Sequence, residues 1–396
     1  MAMTRILYLA HDLDDPAIWR RTGMLRAGGA SVDLAGFQRS TAPLREPATV
    51  LGQTHNGRFL HRALSALRSR MKADELARGP APDVILARNL EMLPLARRIR
   101  ERFGASPPRL VYEVLDIHRL LIGPGLLPSA LRRMERHLCR DVDKVLISSP
   151  RFDQEHFRRY GQTTAPTVLV ENKIWDPKAA DLAPQVTRRP RQPGDAIVIG
   201  WFGILRCAAS LRLLDTVCRQ AQGRVRVVLR GRPALDALPD FQQIVEANPY
   251  IMFQGAYRYP EDLPRIYGEV DIAWLVDRYE AGANSDWLLP NRLYESCAHG
   301  AIPLALQGTE TAAYLKRHGL GLATPDLQPE TLAALFARLD DAALDTARAA
   351  ISVTNPADWR STRDECTRLV AQLADAGPAP HQLAPLATPK PAENAG

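Results

Sequence analysis

The chain of 396 residues has little cysteine, no long hydrophobic run and few aromatic side chains. Its five cysteines are odd in number, widely spaced and without a CxxC pair, which argues against a disulfide framework and against a zinc site. No run approaches about 18 consecutive apolar residues, and acidic residues occur from Asp12 onward, so neither a transmembrane helix nor a signal peptide is predicted. We expect a cytoplasmic protein with reduced, mostly structural cysteines.

The remaining composition is that of an ordinary globular protein, with 46% hydrophobic and 24% charged residues. At about 100–200 residues per domain, the length predicts two domains. The net charge of +7 is uneven: residues 1–175 carry 28 basic and 18 acidic side chains, and residues 176–396 carry 23 and 26. This asymmetry predicts that the first domain meets an anionic partner, which is a nucleic acid, a phosphorylated substrate or an anionic membrane surface.

Short apolar stretches alternate with helical segments along the whole chain. In the first half they are residues 5–10, 31–35, 84–87, 109–113, 144–148 and 167–170, and in the second half 196–200, 225–229, 251–253, 271–275 and 302–305. Strands that alternate with helices build parallel, doubly wound sheets. The predicted fold class is therefore α/β, with two Rossmann-like domains that face one another across a cleft.

Proline and alanine mark the predicted boundaries. Residues 1–175 form the first domain and residues 196–355 the second, and between them lies a linker, 176–195, which has four prolines and no apolar periodicity. Residues 356–375 contain a final helix. Residues 376–396 are rich in proline and alanine and poor in large apolar residues, which predicts a disordered tail.

Ligands of parallel sheets bind at the carboxyl ends of the strands. Residues 200–206 (GWFGILR) are expected to form a turn there, where Gly203 lets backbone amides approach a phosphate and Arg206 offers a guanidinium fork to a diphosphate. The turn lacks GxGxxG, which removes the main support for a nicotinamide dehydrogenase. Further on, Glu295 falls on the second turn of a helix that Pro290 opens, where a carboxylate can accept both hydroxyls of a ribose. The alternative for residues 200–206 is a plain turn with a solvated Arg206. The alternative for Glu295 is a solvated residue on its helix.

These motifs, in this order, resemble the donor domain of GT-B glycosyltransferases, in particular glycosyltransferase family 4 and bacterial exopolysaccharide glycosyltransferases. The resemblance covers about residues 3–375. It rests on the GxLR-type turn, on the Pro-x-Arg-x-x-Glu pattern followed by GAIPL, and on segments similar to the base-binding and acceptor-domain elements: residues 203–206, 290–295, 300–304, 255–264, 112–118, 148–150 and 170–173. The resemblance implies that the final helix crosses back to the first domain.

The resemblance implies a nucleoside-diphosphate-sugar donor on the second domain, with no metal and no other cofactor, since no DxD triplet stands where a divalent ion is expected. The donor-binding residues are then Gly203, Arg206, Asn284, Ser285, Arg292 and Glu295. One departure is visible. Family 4 has two glutamates eight positions apart, and the position eight before Glu295 is Trp287. Asp286 or Glu280 replaces the first carboxylate, or the loop binds the sugar through Asn284 and Ser285.

On the acceptor side, Asp116 and His118 follow the strand at 109–113 and are expected to face the cleft. A glycosyl acceptor loses a proton as it attacks, so a carboxylate or imidazole serves as general base. Asp116 is the preferred base and His118 the second. His11 and Asp12 are a competing pair on the same rim, and a structural role for Asp116 and His118, as a cap and a space-filling side chain, is the alternative.

The basic first domain has a candidate membrane helix. Residues 58–72 place four large apolar residues on one helical face, with five Lys or Arg and no acid on the rest, which suits an anionic membrane surface. A core-facing helix with a solvated basic face is equally compatible, and nucleic acid is not expected as a partner because few aromatics interleave with the charges.

The sequence thus predicts a bacterial, metal-independent hexosyltransferase that moves a sugar from a nucleotide-sugar to a lipid-linked saccharide acceptor in exopolysaccharide or cell-surface polysaccharide biosynthesis. It would act in the cytoplasm, peripherally on the inner membrane. Two alternatives stay open: a GT-B-type sugar-nucleotide epimerase, which would need no membrane-facing basic domain, and a non-catalytic glycan-assembly protein, which Trp287 at the carboxylate position motivates.

Overall fold

The structure is a computed structural model that describes residues 3–53, 74–177, 191–192 and 194–375. Three predictions fall wholly or largely on other residues. The basic helix at 58–72, most of the linker at 176–195 and the tail at 376–396 lie outside the described residues.

The first domain is a parallel sheet of seven strands in the order β3-β2-β1-β4-β5-β6-β7. Its strands are β1 (Arg5–Ala10), β2 (Ser31–Gln38), β3 (Thr49–Gln53), β4 (Val84–Arg88), β5 (Arg109–Val114), β6 (Lys144–Ile147) and β7 (Thr167–Leu169). Its helices are α1 (Pro16–Ala27), α2 (Leu93–Glu101), α3 (Leu126–Leu138) and α4 (Pro150–Phe152), and α4 continues as a π-helix over Asp153–Arg158. Short 3-10 turns lie at Leu90–Met92, Arg119–Leu121 and Cys139–Asp141.

The second domain is a parallel sheet of six strands in the order β10-β9-β8-β11-β12-β13. Its strands are β8 (Ile197–Leu205), β9 (Val225–Pro233), β10 (Ile251–Phe253), β11 (Ile272–Trp274), β12 (Ile302–Leu306) and β13 (Leu322–Thr324). Its helices are α5 (Ala208–Gln220), α6 (Phe241–Ala247), α7 (Leu263–Gly268), α8 (Asn284–Trp287), α9 (Asn291–Ala298), α10 (Glu310–His318), α11 (Pro329–Ala337) and α12 (Asp341–Ser352). After a 3-10 turn at Pro356–Asp358, the described chain closes with α13 (Arg363–Ala374).

The predicted pair of parallel-sheet α/β domains is confirmed. The central strands are mostly apolar, as strands covered by helices on both faces must be, with charged residues such as Arg88 of β4 and Glu113 of β5 near their ends. Two short strands at the sheet edges, β3 and β13, were not predicted, because each has few apolar residues.

The expected turn at residues 200–206 is wrong, because β8 continues to Leu205. Trp201, Phe202 and Leu205 are buried, and β8 pairs with β9 along nine residues. Gly203 faces Gly231 in this pairing, and Gly231 has a φ of +124° with the Gly203 carbonyl 1.9 Å from where its Cβ would stand. Gly231 therefore lets the two strands approach closely, and only Arg206 and Cys207 remain for the turn.

The last helix, α13, packs against α1 of the first domain. Leu369, Val370 and Leu373 are buried in the same cluster as Leu25, and a Cβ at Gly28 would lie 2.3 Å from the Cys366 carbonyl oxygen. A capping box formed by Thr362 and Glu365 starts the helix. The C-terminal end of the described chain therefore joins the two domains.

All five cysteines are buried and unpaired. Within the described ranges, no helix combines the length and the apolar character needed to cross a membrane.

Candidate functional site

Asp116 follows β5 and lies in the cleft between the two domains. Asp116 is exposed to solvent at the rim of the cleft, and the protein around it desolvates its carboxyl group in part. This desolvation raises the pKa of Asp116 to about 6, with a further upward contribution from Glu280 and downward contributions from Arg206 and Arg88. Arg206 and Glu280 belong to the second domain, so both domains determine the charge state of Asp116. A carboxyl group with such a pKa suits a general base near neutral pH.

His118 and the competing pair on the same rim have structural contacts. The Nδ1 atom of His118 accepts a hydrogen bond from the Leu120 amide at 3.2 Å and caps the 3-10 turn that follows. Asp12 is buried and forms an ion pair with Arg39 at 2.8 Å. Burial raises the pKa of Asp12, and Arg39 lowers it in part. Asp116 is acted on by Arg206 and Glu280 of the second domain.

A buried charge cluster that the sequence analysis missed lies under this rim. Glu113 on β5 accepts hydrogen bonds from the Tyr8 hydroxyl at 2.6 Å and from Arg21 Nε at 2.7 Å, and Arg88 lies 3.6 Å from it. Burial alone would raise the pKa of Glu113, but Arg21, Arg88 and the Tyr8 hydroxyl outweigh burial, and the pKa is lowered. A glutamate within an apolar strand was the available signal, because a fully buried charge requires partners.

Asn89, directly after β4, has an unusual backbone. Its φ is +67° and its ψ is 162°, a region that costs a residue other than glycine about 1–3 kcal/mol. Its amide donates to the Glu113 carbonyl at 2.9 Å, its Nδ2 lies 3.4 Å from His11 Nδ1, and its buried Oδ1 has no hydrogen-bond partner. Strain of this kind cannot be recognised in a sequence, and it is concentrated at ligand sites.

Arg206 lies on the opposite side of the cleft, at the end of β8. Its guanidinium is partly exposed, forms an ion pair with Asp277 at 3.4 Å and lies 4.8 Å from the centre of the Tyr279 ring. Both contacts hold the guanidinium plane while leaving donors free for an anion. Its charge lowers the pKa of Asp116, so the two residues face each other across the cleft.

Gly203 and Arg292 lie beside one another on the second domain. Gly203 has a φ of +103°, and a Cβ there would meet only the Tyr257 hydroxyl, at 4.0 Å. Arg292 Nη1 donates to the carbonyl of Phe202 at 3.1 Å, and its buried Nε has no partner. This arrangement leaves open space lined by a cation, as a site for a phosphate requires.

Glu295 lies on α9 and is buried. It accepts a hydrogen bond from the Tyr267 hydroxyl at 2.8 Å. Burial raises its pKa, and the Tyr267 hydroxyl, Arg20 and Arg292 offset part of this effect. Arg20 belongs to α1 of the first domain and was not among the predicted residues. Glu295 is therefore near enough to sense Arg292 on its own helix and Arg20 on the facing domain.

The loop after β11 connects the two domains. Asn284 is buried, and its side-chain amide bonds to the backbone of Ile117 in the first domain. Ser285 Oγ accepts from the Glu280 amide at 2.9 Å. Trp287 is buried in the hydrophobic cluster of the first domain, together with Ile117 and Phe152. This loop therefore docks onto the first domain, and Trp287 is a packing residue.

The two carboxylates that could replace the missing family 4 glutamate differ in their surroundings. Asp286 forms an ion pair with Arg278 at 3.0 Å and accepts from the Gly282 amide at 2.7 Å. Glu280 acts on Asp116 and accepts from Asn284 Nδ2 at 2.6 Å. Glu280 is thus the carboxylate closer to the proposed reaction centre. Over the described part of the chain, no group of three or more His, Cys, Asp or Glu side chains is placed to hold a metal ion.

A scan against protein-family models finds no match. The chain is 45% identical over 384 residues to the succinoglycan biosynthesis protein ExoL of Rhizobium meliloti strain 1021, and 94% of each chain is covered. Among solved structures, it is similar to sucrose-phosphate synthase from Thermosynechococcus elongatus, with a TM-score of 0.64 and 15% identity over 94% of this chain and 96% of that chain. It is also similar to Anabaena HepE in complex with UDP and glucose, with a TM-score of 0.61 and 16% identity over 93% and 98% of the two chains.

Proposed function

Since the chain belongs to the family of the succinoglycan biosynthesis protein ExoL and has the GT-B glycosyltransferase fold, we propose that it is a glycosyltransferase of exopolysaccharide biosynthesis. It transfers a hexosyl group from a nucleoside-diphosphate-sugar to a lipid-linked saccharide. The observation that carries this proposal is that Asp116 follows β5 and Arg206 follows β8 on opposite rims of the cleft, near enough for the Arg206 charge to lower the pKa of Asp116.

The donor binds to the second domain. Arg206 and Arg292 bind the diphosphate, Gly203 lets the phosphates approach the backbone, and Glu295 accepts the ribose hydroxyls. The open space at Gly203 and the unpartnered Nε of Arg292 support this assignment. The structural relative HepE, which was solved in complex with UDP and glucose, has the same fold.

The transfer step needs no group beyond these residues and the substrates. The acceptor hydroxyl oxygen forms a bond to the anomeric carbon of the donor sugar, and the bond from that carbon to the diphosphate oxygen breaks. The electron pair leaves on the diphosphate, whose charge Arg206 and Arg292 stabilise. The proton of the acceptor hydroxyl passes to Asp116.

The lipid-linked acceptor requires access to a membrane, and α3 offers a suitable surface. Leu126, Leu127 and Met134 are 92%, 57% and 40% exposed. Arg133 and Arg140 are exposed beside them, and the one carboxylate of the helix, Glu135, is fully buried. An exposed face with apolar and basic residues and no acid is typical of a helix that binds an anionic membrane.

Vesicle flotation tests the membrane surface. We expect the wild-type protein to float with vesicles that contain phosphatidylglycerol and to stay behind with pure phosphatidylcholine. Leu126→Ser combined with Leu127→Ser should reduce flotation by at least about tenfold, because about six side-chain carbons are lost and each buried methylene contributes about 0.8 kcal/mol. The control is Val353→Ser, which changes an equally exposed residue of the second domain, 84% accessible. Equal flotation of both variants would contradict the assignment of α3.

Thermal-shift measurements with a panel of UDP-, GDP- and ADP-sugars test the donor assignment. A ligand that binds the folded state at 100 times its Kd stabilises that state by about 2.7 kcal/mol. One nucleotide class should therefore raise Tm, and Glu295→Ala should abolish this rise. A panel in which no nucleotide raises Tm would overturn the proposed function.

The alternative of a non-catalytic assembly protein rested on Trp287 in place of a carboxylate. Trp287 packs in the core of the first domain, and Glu280 supplies a carboxylate in the cleft. The position of Trp287 is therefore explained by domain packing and does not favour a non-catalytic role.

A further inference from the structure

The side-chain amide of Asn284 forms three hydrogen bonds. Its Oδ1 accepts from the Ile117 amide at 2.9 Å, and its Nδ2 donates to the Ile117 carbonyl at 2.8 Å and to Glu280 Oε2 at 2.6 Å. The two bonds to Ile117 mimic the pairing of neighbouring strands. Because Ile117 directly follows Asp116, Asn284 ties the backbone beside Asp116 to the second domain.

Further hydrogen bonds fix the loop that carries Asn284 on the first domain. Ser149 of the first domain donates through Oγ to the Trp287 carbonyl, and Arg151 donates to the Asp286 carbonyl at 3.1 Å. Together with the buried Trp287 ring, these bonds seat α8 on the first domain. Among these interdomain bonds, those of Asn284 reach the backbone next to Asp116.

We propose that Asn284 is a positioning residue, which holds the Asp116 backbone against the donor domain and places Asp116 opposite Glu280 and Arg206. This role rests on the proposed function, in which Asp116 is the general base. It differs from the donor-binding role predicted from the sequence, because both amide hydrogens of Asn284 already donate to protein acceptors. Acceptor activation then depends on the docked position of the loop.

Four charged groups from four elements act on Asp116. Arg206 follows β8, Glu280 follows β11, Arg88 ends β4 and Asp15 caps α1. Desolvation of Asp116 is the largest cause of its raised pKa. Release of the loop would move Glu280 and the surrounding protein away from Asp116, so the pKa of Asp116 would fall toward its ordinary value.

Hydrogen exchange of Ile117 tests whether Asn284 holds the loop. In the full-length protein, Asn284→Ala should speed amide exchange in the segment around Ile117 by about tenfold, because the amide loses its acceptor. Ser149→Ala is the matched control. It removes a bond between the same two domains and should leave exchange at Ile117 as in wild type. Unchanged exchange in Asn284→Ala would overturn the proposal.

The pH profile of kcat/KM tests whether the hydrogen bonds of Asn284 to Ile117 affect the pKa of Asp116. The substrate is the sugar nucleotide that stabilises the wild-type protein most in the panel of UDP-, GDP- and ADP-sugars. We expect kcat/KM to fall on the acid side, along an acid limb with a midpoint near pH 6, in wild type and in Ser149→Ala. In Asn284→Ala the same fall in kcat/KM should occur at lower pH. Glu280→Gln keeps the acceptor for Asn284 but removes the anion that raises the pKa of Asp116. Its limb should also move to lower pH, with Ile117 exchange unchanged.

The outcomes separate this proposal from the proposed function. Wild-type protein that turns over no sugar nucleotide at any pH overturns the proposed function, and the positioning role with it. Wild-type turnover with an unshifted acid limb in Asn284→Ala overturns the positioning role alone. If Asn284→Ala does not fold, the pH profile of Glu280→Gln provides the test instead. An acid limb of kcat/KM at the wild-type pH in Glu280→Gln would show that Glu280 does not act on Asp116, and would overturn the proposed placement of Asp116.

Discussion

The two rims of the cleft use charge in opposite ways. On the first domain, Glu113, Arg21 and Arg88 are buried and pair by charge beneath Asp116, although the Nε of Arg88 has no hydrogen-bond partner. On the second domain, Arg206 is partly exposed and Arg292 has a buried Nε without a partner. The first rim therefore has its cations neutralised inside the protein, and the second rim keeps cations available for a ligand.

This difference follows from the chemistry each rim is proposed to perform. A guanidinium that is to bind a diphosphate must keep donors free, whereas a base needs a fixed environment that sets its pKa. The Glu113 cluster lies at the ends of β1, β4 and β5, directly under the loop that bears Asp116. We infer that this cluster fixes the rim and that the arginines of the second domain bind the donor.

The largest expected effect comes from the base of the first rim. Asp116→Asn removes the proton acceptor and should lower kcat by about 10²- to 10⁴-fold, the usual contribution of a general base. Nucleotide binding should stay at the wild-type level, because the proposed nucleotide residues all belong to the second domain. Steady-state transfer assays and nucleotide titration measure the two properties. Loss of both sugar transfer and nucleotide binding in Asp116→Asn would contradict the assignment of catalysis to the first rim and of nucleotide binding to the second.

The next effect concerns stability. Glu113→Gln leaves Arg21 and Arg88 buried with one neutral partner and should lower the free energy of unfolding by about 3–5 kcal/mol, as measured by urea denaturation at neutral pH. Glu155→Gln is the control. Its ion pair with Arg159 at 3.0 Å lies at the surface, and its loss should cost less than about 1 kcal/mol.

The same cluster predicts a pH dependence of stability. The pKa of Glu113 is lowered from its ordinary 4.5 in the folded protein, so its contribution is complete above pH 4.5 and is lost as pH falls through the folded value. The difference in unfolding free energy between wild type and Glu113→Gln should therefore shrink below pH 4.5. A difference that stays constant down to pH 3 would contradict the charged state of Glu113.

A smaller effect is expected on the second rim. Arg206→Ala should lower kcat by about 10²- to 10³-fold, the usual cost of one donor that stabilises developing charge. Arg206→Lys keeps the charge but loses the fork and the contact with Tyr279, so it should recover part of the rate. Both variants should unfold at wild-type urea concentrations. A large loss of stability would indicate that Arg206, like Arg88, is a structural cation.

Local sequence patterns were sufficient for much of the fold. Apolar runs separated by helical segments predicted both parallel sheets, and Asp116 was found because it directly follows a predicted strand. The end of β8 was missed because glycine was taken as a turn signal. In the folded chain, Gly203 lies within β8, and Gly231 of β9 permits the close pairing of the two strands.

Contacts between distant parts of the chain were beyond the reach of such patterns. Asn284 and Ile117 are 167 positions apart, and Arg21 and Glu113 are 92 apart. Asn284 was identified as a polar loop residue, yet its partner is the backbone of another domain, and a backbone partner has no sequence signature. The positive φ of Asn89 likewise arises from the packing around β4 and has no local cause.

Calorimetric titration of the nucleoside diphosphate whose sugar raises the wild-type Tm most into Glu295→Ala and Asp116→Asn tests the account most directly. The assignment of nucleotide binding to the second rim and base catalysis to the first predicts that Glu295→Ala loses binding of this nucleotide, while Asp116→Asn binds it with the wild-type Kd and transfers sugar at least about 10²-fold more slowly. Wild-type affinity in Glu295→Ala, or an equal loss of affinity in both variants, would contradict it.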